Sequence, residues 1–231
     1  MIKNHIVPGS GFVQIKDLQA IQVQQLYNEV EKRSSARMAN LVHVTLHAAL
    51  KQAVQNDMIP RNVTDKCIAP KYEPEKSRAL ALDEQQRFVK AIKGDRFELA
   101  FLLCLYAGLR RGEALALKWD DIDLEASTVH IDKTVVRVTN FEAKEGEPKT
   151  IVMLKAPKSK SSRRTVPIPK ELIPLIKQHR AKKSQEKLCA GEQHQDNGLL
   201  FCNAFGQIVA PDQLTKAFKR VTRGLFDNRA T

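Results

Sequence analysis

Apolar side chains recur every three to four residues over long stretches of the chain, and this period predicts amphipathic helices. The first helix begins at Asp17. A second helix, capped by Ser34 or Ser35, runs to about Asp57 and ends before Pro60. The same period returns later in the chain, where it predicts helices over 82–93, 97–107, 110–118, 170–188 and 211–223.

Other stretches alternate between apolar and polar residues and are rich in β-branched side chains, which predicts short strands. The strands cover 128–132, 150–154 and 164–168, and 134–139 is expected to extend the first of them. A turn is predicted at 8–11 and a short buried segment at 198–201. The fold class is therefore mainly α with a small antiparallel β-sheet (α+β).

Residues 64–79 are poor in apolar side chains and contain Pro70 and Pro74 among charged residues. This composition is typical of an interdomain linker. The sequence is thus expected to form a helical domain over 1–63 and a second domain over 80–231.

Composition narrows the class of protein. A hydrophobic content of 42% excludes a disordered chain, and four cysteines without framework spacing exclude a disulfide scaffold. No apolar run is long enough for a membrane helix, and no signal peptide is visible at the start. We therefore expect a cytoplasmic protein with no membrane partner.

The charge of the chain favours a polyanionic partner. The formal net charge is +12, and ten basic residues against one acidic residue lie between Lys155 and Lys183. Such a concentration is typical of proteins that neutralise nucleic-acid phosphates. The alternative is a solvated basic surface.

The segment Ala107-Gly-Leu-Arg-Arg-Gly-Glu113 is the first candidate for chemistry. A glycine ends an apolar helix and places Arg110 at the start of the next one, with Glu113 on the same helix face. An arginine held by an acid offers a fixed fork of donors to a phosphate. The alternative interpretation is an ordinary surface ion pair, which is common and weak.

The segment 156–168 is the second candidate and is interpreted as a β-hairpin whose turn carries several cations. A lysine in that turn could bind a phosphate or donate a proton to a leaving oxygen. The alternative is a charged hairpin that protects a sheet edge.

Two further groups of residues raise the question of a metal. Asp120, Asp121 and Asp123 could bind an ion, but capping of a turn is the favoured interpretation. His43 and His47 are four residues apart on one helix without an evident third ligand. No metal and no cofactor are predicted.

The order of these motifs is similar to that of a known family. The stretches YAGLRRGEALALKWDDIDLEASTVHI, APKSKSSRRTVPIPKEL and GLLFCNAFGQIVAPDQLTKAFKR closely resemble the catalytic domain of tyrosine recombinases, the integrases of phages and integrative elements. The region before residue 64 resembles the helical core-binding domain of the same family. The resemblance covers nearly the whole chain.

The resemblance implies site-specific DNA recombination without metal or ATP. Family members cut one DNA strand with a tyrosine, form a 3′-phosphotyrosyl link and pass the strand to a 5′-hydroxyl. Arg110 matches the first catalytic arginine, and Glu113 matches the acid that steadies the site. Counting back from Arg164 favours Lys160 as the lysine that protonates the leaving oxygen, and Lys158 remains the rival.

The resemblance also implies a partner, duplex DNA carrying attachment sites. The helix over 35–56 resembles the one that lies along DNA in the family, and a homo-oligomer on DNA is expected because family members act as tetramers. The candidate DNA contacts are Arg37, Asn40, His43, His47 and Lys51 in that helix, and Arg163 and Arg164 in the hairpin.

The sequence departs from the family pattern near its end. A His-x-x-Arg motif is not found, and none of the three tyrosines follows the hairpin, where the nucleophile is expected. Tyr27 and Tyr106 are predicted to be core residues, and Tyr72 lies in the linker. We therefore expect a partial recombinase that binds DNA and does not cut it alone, with exposed apolar patches. The alternatives are a non-catalytic DNA-binding decoy or remnant of a truncated gene, or an unrelated RNA-binding protein.

Overall fold

The structure is mainly helical and contains two small antiparallel sheets, which confirms the predicted mainly α, α+β class. The computed structural model describes residues 1–74, 79–156 and 163–226, except for the side chain of Phe226. The chain divides into two units, Met1–Arg78 and Ala79–Thr231. Each unit has its own apolar core.

The start of the chain is helical, so the turn predicted over 8–11 is wrong. A π-helical segment covers Ile2–Ile6, and α1 covers Val7–Ser10. Pro8 lies in the first turn of α1, which directly continues the segment that begins at Ile2. The proline that suggested a turn is therefore part of a helical stretch.

Two longer helices, α2 (Ala20–Arg33) and α3 (Ala36–Gln55), form the body of the first unit. The Ser35 hydroxyl accepts a hydrogen bond from the Met38 N–H at 3.2 Å, so Ser35 is the cap and not Ser34. The facing apolar side chains are buried as the helical period predicts, and they include Val23, Leu26, Tyr27, Val30, Ala39, Val42 and Leu46.

The beginning of the predicted linker belongs to the first unit. Val63–Lys66 forms a 3₁₀ helix packed on α2 and α3, and the Thr64 side chain is buried. Asn62 Oδ1 accepts hydrogen bonds from the Thr64 N–H and hydroxyl at 3.1 and 2.6 Å. A polar residue with local partners can be buried, so low hydrophobicity did not mark a free linker here.

The second unit contains five α-helices in the described part of the chain. The helix α5 has buried residues on all sides, and the other helices pack around it and the sheets. Glu84 accepts a hydrogen bond from the Ala81 N–H at 2.9 Å, which compensates for the alanine at the cap of α4. The helices are α4 (Leu82–Ala91), α5 (Glu98–Tyr106), α6 (Arg111–Ala116), α7 (Ile173–Ala190) and α8 (Pro211–Phe226).

Among the described residues, five strands form two sheets. The first sheet has the order β1-β2-β5, and the second pairs β3 with β4. All pairs are antiparallel. The strands are β1 (Ile122–Asp123), β2 (Thr128–Ile131), β3 (Thr134–Thr139), β4 (Thr150–Lys155) and β5 (Arg164–Pro167).

This topology corrects two predictions. Segment 134–139 does not extend the first strand, because it pairs with β4 in another sheet. Segment 156–168 is not a hairpin, because β4 pairs with β3 whereas β5 pairs with β2. Residues 156–163 therefore connect two sheets. The alternation of each strand was read correctly, but alternation does not specify which strand is the partner.

The short buried segment predicted at 198–201 is confirmed, since Leu199, Leu200 and Phe201 are all buried. Leu199 forms an antiparallel bridge with Lys118, which joins this segment to the end of α6. Within the described residues, no helix has both the length and the apolar character needed to cross a bilayer.

Candidate nucleic-acid interface

The backbone around Arg110 is fixed by the way two helices meet. The helix α5 ends at Tyr106, and Gly108 adopts a φ of +64°, which favours glycine. Leu109 is buried in the core, and Arg110 in extended conformation is the N-cap of α6. The buried leucine on one side and the helix on the other therefore define where the Arg110 side chain begins.

The Glu113 carboxylate holds both the backbone and the side chain of Arg110. One carboxylate oxygen accepts the Arg110 N–H at 2.9 Å, and the other accepts Arg110 Nη1 at 2.8 Å. The Glu113 side chain is 8% exposed, whereas that of Arg110 is 74% exposed. A buried acid thus holds a guanidinium whose remaining donors face solvent.

A second arginine reaches the same carboxylate from the sheet. Arg164 on β5 donates from Nη2 to Glu113 Oε2 at 2.8 Å and from Nη1 to Oε1 at 3.2 Å. The side chain of Arg164 is 29% exposed. Sequence reasoning proposed Arg164 as a DNA contact and did not find this pairing, because the two residues are far apart in sequence and carry no local signal.

The ionisation of Glu113 follows from these contacts. Burial alone would raise its pKa, but the hydrogen bonds from Arg164 and Arg110 outweigh burial and lower the pKa to about 2. Glu113 is therefore a carboxylate at neutral pH and not a proton donor. The site presents cations backed by a permanent negative charge.

The neighbouring basic residues divide into two kinds. Arg111 donates from Nη1 to the Thr215 hydroxyl on α8 at 2.6 Å. Arg163 is exposed and has no hydrogen-bond or ion-pair partner among the described residues. Lys158 and Lys160 lie outside the described residues, so their roles stay predictions.

Part of the basic run on α7 is engaged within the protein. Lys183 donates to Glu186 at 2.6 Å and to the Cys202 carbonyl at 2.8 Å, and its side chain is largely buried. The Arg180 guanidinium lies over the Trp119 ring, 5.5 Å from its centroid. The charge concentration seen in the sequence is therefore not all available to a partner.

The polar side of α3 makes contacts within its own unit. Asn40 Nδ2 donates to the Pro70 carbonyl at 2.9 Å. The Nδ1 atom of His43 lies 3.1 Å from the Tyr27 hydroxyl, and that of His47 lies 3.0 Å from the Thr64 hydroxyl. These three contacts join α3 to α2 and to residues 64 and 70, and the DNA contacts of the three side chains stay predictions.

The remaining two candidates on α3 are differently placed. The Arg37 guanidinium lies 5.8 Å from the centroid of the Tyr72 ring. Lys51 is exposed near the end of the helix, with no hydrogen bond or ion pair among the described residues. Lys51 is thus the candidate on this helix whose charge is least engaged.

The three tyrosines occupy different environments. Tyr27 is fully buried as predicted, and burial raises its pKa. Tyr106 is 51% exposed, so its assignment to the core is wrong. It is the last residue of α5, where the apolar helix leaves the core.

The acids after α6 cap a turn, as favoured from the sequence. Asp121 accepts the Lys118 N–H at 2.8 Å, and Asp123 accepts the N–H groups of Glu125 and Ala126 at 2.9 and 2.8 Å. In the ranges that the structure describes, no three His, Cys, Asp or Glu side chains cluster as metal ligands would.

Solved structures with this arrangement of elements are integrases. The Tn1549 transposon integrase in complex with transposon right end DNA matches with a TM-score of 0.71 and 18% identity, covering 94% of this chain and 67% of that one. A lambda integrase dimer bound to a COC′ core site matches with a TM-score of 0.66 and 16% identity, covering 96% and 68%. The fold is therefore that of an integrase.

Sequence comparisons lead to the family. Residues 78–228 match the phage integrase family. The XerC-like tyrosine recombinase of Caldanaerobacter subterraneus subsp. tengcongensis is 32% identical over 95% of this chain, and an integrase of Streptomyces ambofaciens is 27% identical over 96%. This chain spans 58% and 55% of the lengths of these two relatives. The chain belongs to the phage integrase family, and it resembles tyrosine recombinases over most of its length.

Proposed function

We propose that these 231 residues bind duplex DNA for site-specific recombination, with Arg110 as a ligand of a backbone phosphate. The observation that carries the proposal is the contrast between Arg110, whose side chain is 74% exposed, and the buried Glu113 that holds it. A guanidinium fixed in this way loses little further freedom on binding, and its planar set of N–H donors can bond two oxygens of a phosphate at once.

The net charge of +12 supports the same partner. Each cation that neutralises a DNA phosphate releases condensed counterions, which strengthens binding at low salt. Arg163 and Lys51 supply additional cations whose side chains are not engaged by the described residues. The Tn1549 and lambda integrases that share this fold are bound to DNA in their solved structures.

The second cation at the phosphate is proposed to come from the segment before β5. Lys160 precedes Arg164 by four residues, and an extended chain of that length spans at most about 14 Å. Arg164 touches the carboxylate that holds Arg110. The number of residues between Lys160 and Arg164 is thus compatible with a lysine ammonium at the same phosphate as Arg110. Lys160 is the first choice and Lys158 the rival.

We further propose that the 231 residues do not cut DNA by themselves. Tyr27 is fully buried and is not free to attack a phosphate, whereas Tyr72 is 37% exposed but lies in the first unit, before the Arg110 turn. Tyr106 is exposed but precedes the arginine turn instead of following the segment 150–168. Covalent cleavage of this type requires a positioned nucleophile.

Assembly on DNA is proposed from the neighbours that share the fold. Lambda integrase is seen as a dimer on a core site and as a tetramer on a Holliday junction. We expect more than one copy of this chain to bind a duplex that carries two half-sites. Action on DNA in the cytoplasm is part of the same proposal.

The phosphate contact is tested by the salt dependence of binding to a random-sequence duplex, measured by fluorescence anisotropy. Arg110→Ala is expected to reduce the slope of log affinity against log salt by about 0.9, the value for one lost phosphate. Arg111→Ala is the matched control, since Arg111 contacts α8, and its slope should remain that of the wild type. Equal slopes for wild type and Arg110→Ala would contradict the proposal.

The absence of cleavage is tested with a nicked duplex that traps covalent intermediates. We expect no adduct that survives denaturation with detergent. An adduct that disappears in Tyr106→Phe would show that this tyrosine is a nucleophile and overturn the non-cleaving assignment. Preference for RNA over duplex DNA at fixed salt would instead favour an RNA-binding protein.

A further inference from the structure

We infer that Arg164 is a positioning residue that fixes the Arg110 guanidinium through Glu113, and that Arg164 does not itself bind DNA. This inference rests on the proposed function, because it concerns how the same phosphate site is held. It differs from the sequence interpretation, in which Arg164 was a DNA contact.

The geometry of Arg164 is that of an internal clamp. Both of its terminal nitrogens donate to Glu113, at 2.8 and 3.2 Å, and Nη2 also lies 3.4 Å from the Gly108 carbonyl. A guanidinium that meets a carboxylate through two parallel bonds fixes both the position and the plane of that carboxylate. Arg164 is directed at the turn that carries Arg110 and not at solvent.

Each oxygen of Glu113 is shared by the two arginines. Oε1 accepts Nη1 of Arg110 and Nη1 of Arg164, and Oε2 accepts the Arg110 N–H and Nη2 of Arg164. The direction of the Arg110 guanidinium therefore depends on where Oε1 lies, and Arg164 determines that position. Removal of Arg164 would leave the Glu113 carboxylate held only by the backbone N–H and the guanidinium of Arg110.

Arg164 is itself held in place by the first sheet. Arg164 is paired with Ile131 of β2, and Ile131 is buried in the core. The clamp thus connects a rigid strand to the first turn of α6.

Double-mutant cycles separate a positioning residue from a DNA ligand. The measurement is the affinity and salt slope for a random-sequence duplex. Arg164→Ala is expected to weaken binding in the wild-type background and to have no further effect when Arg110→Ala is present. Arg163→Ala is the matched control, because its side chain is unengaged among the described residues. Its effect should add to that of Arg110→Ala and reduce the slope by about a further 0.9.

Two further measurements distinguish positioning from loss of fold. Arg164→Lys keeps the charge but cannot donate two parallel bonds, so binding should be restored only in part. The pKa of Glu113, followed by NMR of its carboxyl carbon, should rise above the wild-type value in Arg164→Ala. Unchanged circular dichroism of the two variants would confirm that they fold.

The possible results are distinct. Additive effects of Arg164→Ala and Arg110→Ala, with a further slope loss of about 0.9, would show that Arg164 binds DNA and overturn the inference. Unchanged binding by Arg164→Ala alone would overturn it as well. If Arg110→Ala itself has no effect, the proposed function fails, while the Glu113 pKa still reports whether Arg164 is the clamp.

Discussion

The polar side of α3 and the Arg110 site carry similar residues but use them in opposite ways. On α3, polar side chains such as Asn40 and His47 bond to neighbouring segments of their own unit. At the Arg110 site, the buried Glu113 carboxylate binds Arg110 and Arg164, and the Arg110 side chain stays largely exposed. Polar residues on a basic protein are therefore not equivalent as DNA contacts. What matters is whether their donors are already used within the fold.

The largest effect on stability is expected for a substitution of Glu113, because the whole Arg110 site depends on this residue. Glu113→Ala removes the shared acceptor of two arginines and of the Arg110 N–H, which should lower the free energy of unfolding by about 2–3 kcal/mol. Urea denaturation measures this change. Affinity for duplex DNA should fall with it, because Arg110 loses its fixed position. Unchanged stability together with unchanged affinity would show that the acid does not organise the site.

The stability that Glu113 contributes should depend on pH. The pKa of Glu113 is lowered from 4.5 to about 2 in the folded protein, so its ionised form stabilises the fold fully above pH about 4.5. This contribution is lost as the pH falls from about 4.5 to about 2. The loss of stability over this window should be smaller in Glu113→Gln than in the wild type, as measured by thermal unfolding. Parallel curves would contradict the assignment.

In the first unit, loss of a buried polar network is expected to lower stability without changing DNA binding. Asn62 holds Thr64 through two hydrogen bonds and donates to the His47 carbonyl at 3.2 Å, all in a buried setting. Asn62→Ala should therefore lower the free energy of unfolding by about 1–2 kcal/mol. Its salt slope for duplex DNA should equal that of the wild type. A reduced slope would mean that this network binds DNA and would remove the contrast between the two regions.

The smallest effect on stability is expected at Lys51. Its side chain is exposed and unengaged among the described residues, so Lys51→Ala should change the free energy of unfolding by less than about 0.5 kcal/mol. If it binds a phosphate, the salt slope falls by about 0.9. Gln52→Ala, at the next position on α3, is the uncharged control. Identical slopes for the two variants would exclude Lys51 as a contact.

Local patterns predicted the elements well because helices and strands are specified by nearby residues. The period of three to four residues located α2 and α3, and Ser35 and Pro60 marked the limits of the second of these. Pairing between strands was not predictable in the same way. The alternation in 164–168 is the same whether the strand joins β4 or β2, and only the three-dimensional core decides.

The candidate site was predictable in part for the same reason. The turn that places Arg110 and Glu113 is local, so its motif was visible in the sequence. The clamp from Arg164 is not local, since it depends on β5 lying beside β2. Asn40, His43 and His47 were correctly placed on one helix face. The partners of Asn40 and His47, Pro70 and Thr64, lie after α3 in a segment that the helical period does not describe.

The central claim is that Arg110 meets a DNA phosphate while Arg164 stays on Glu113. Nitrogen-15 NMR of arginine side chains during titration with duplex DNA tests it most directly, with assignments from Arg110→Lys and Arg164→Lys. We predict that the Arg110 guanidinium signals shift and gain a through-bond coupling to phosphorus, and that the Arg164 signals remain unchanged. A phosphorus coupling at Arg164, with Arg110 unaffected, would contradict the account.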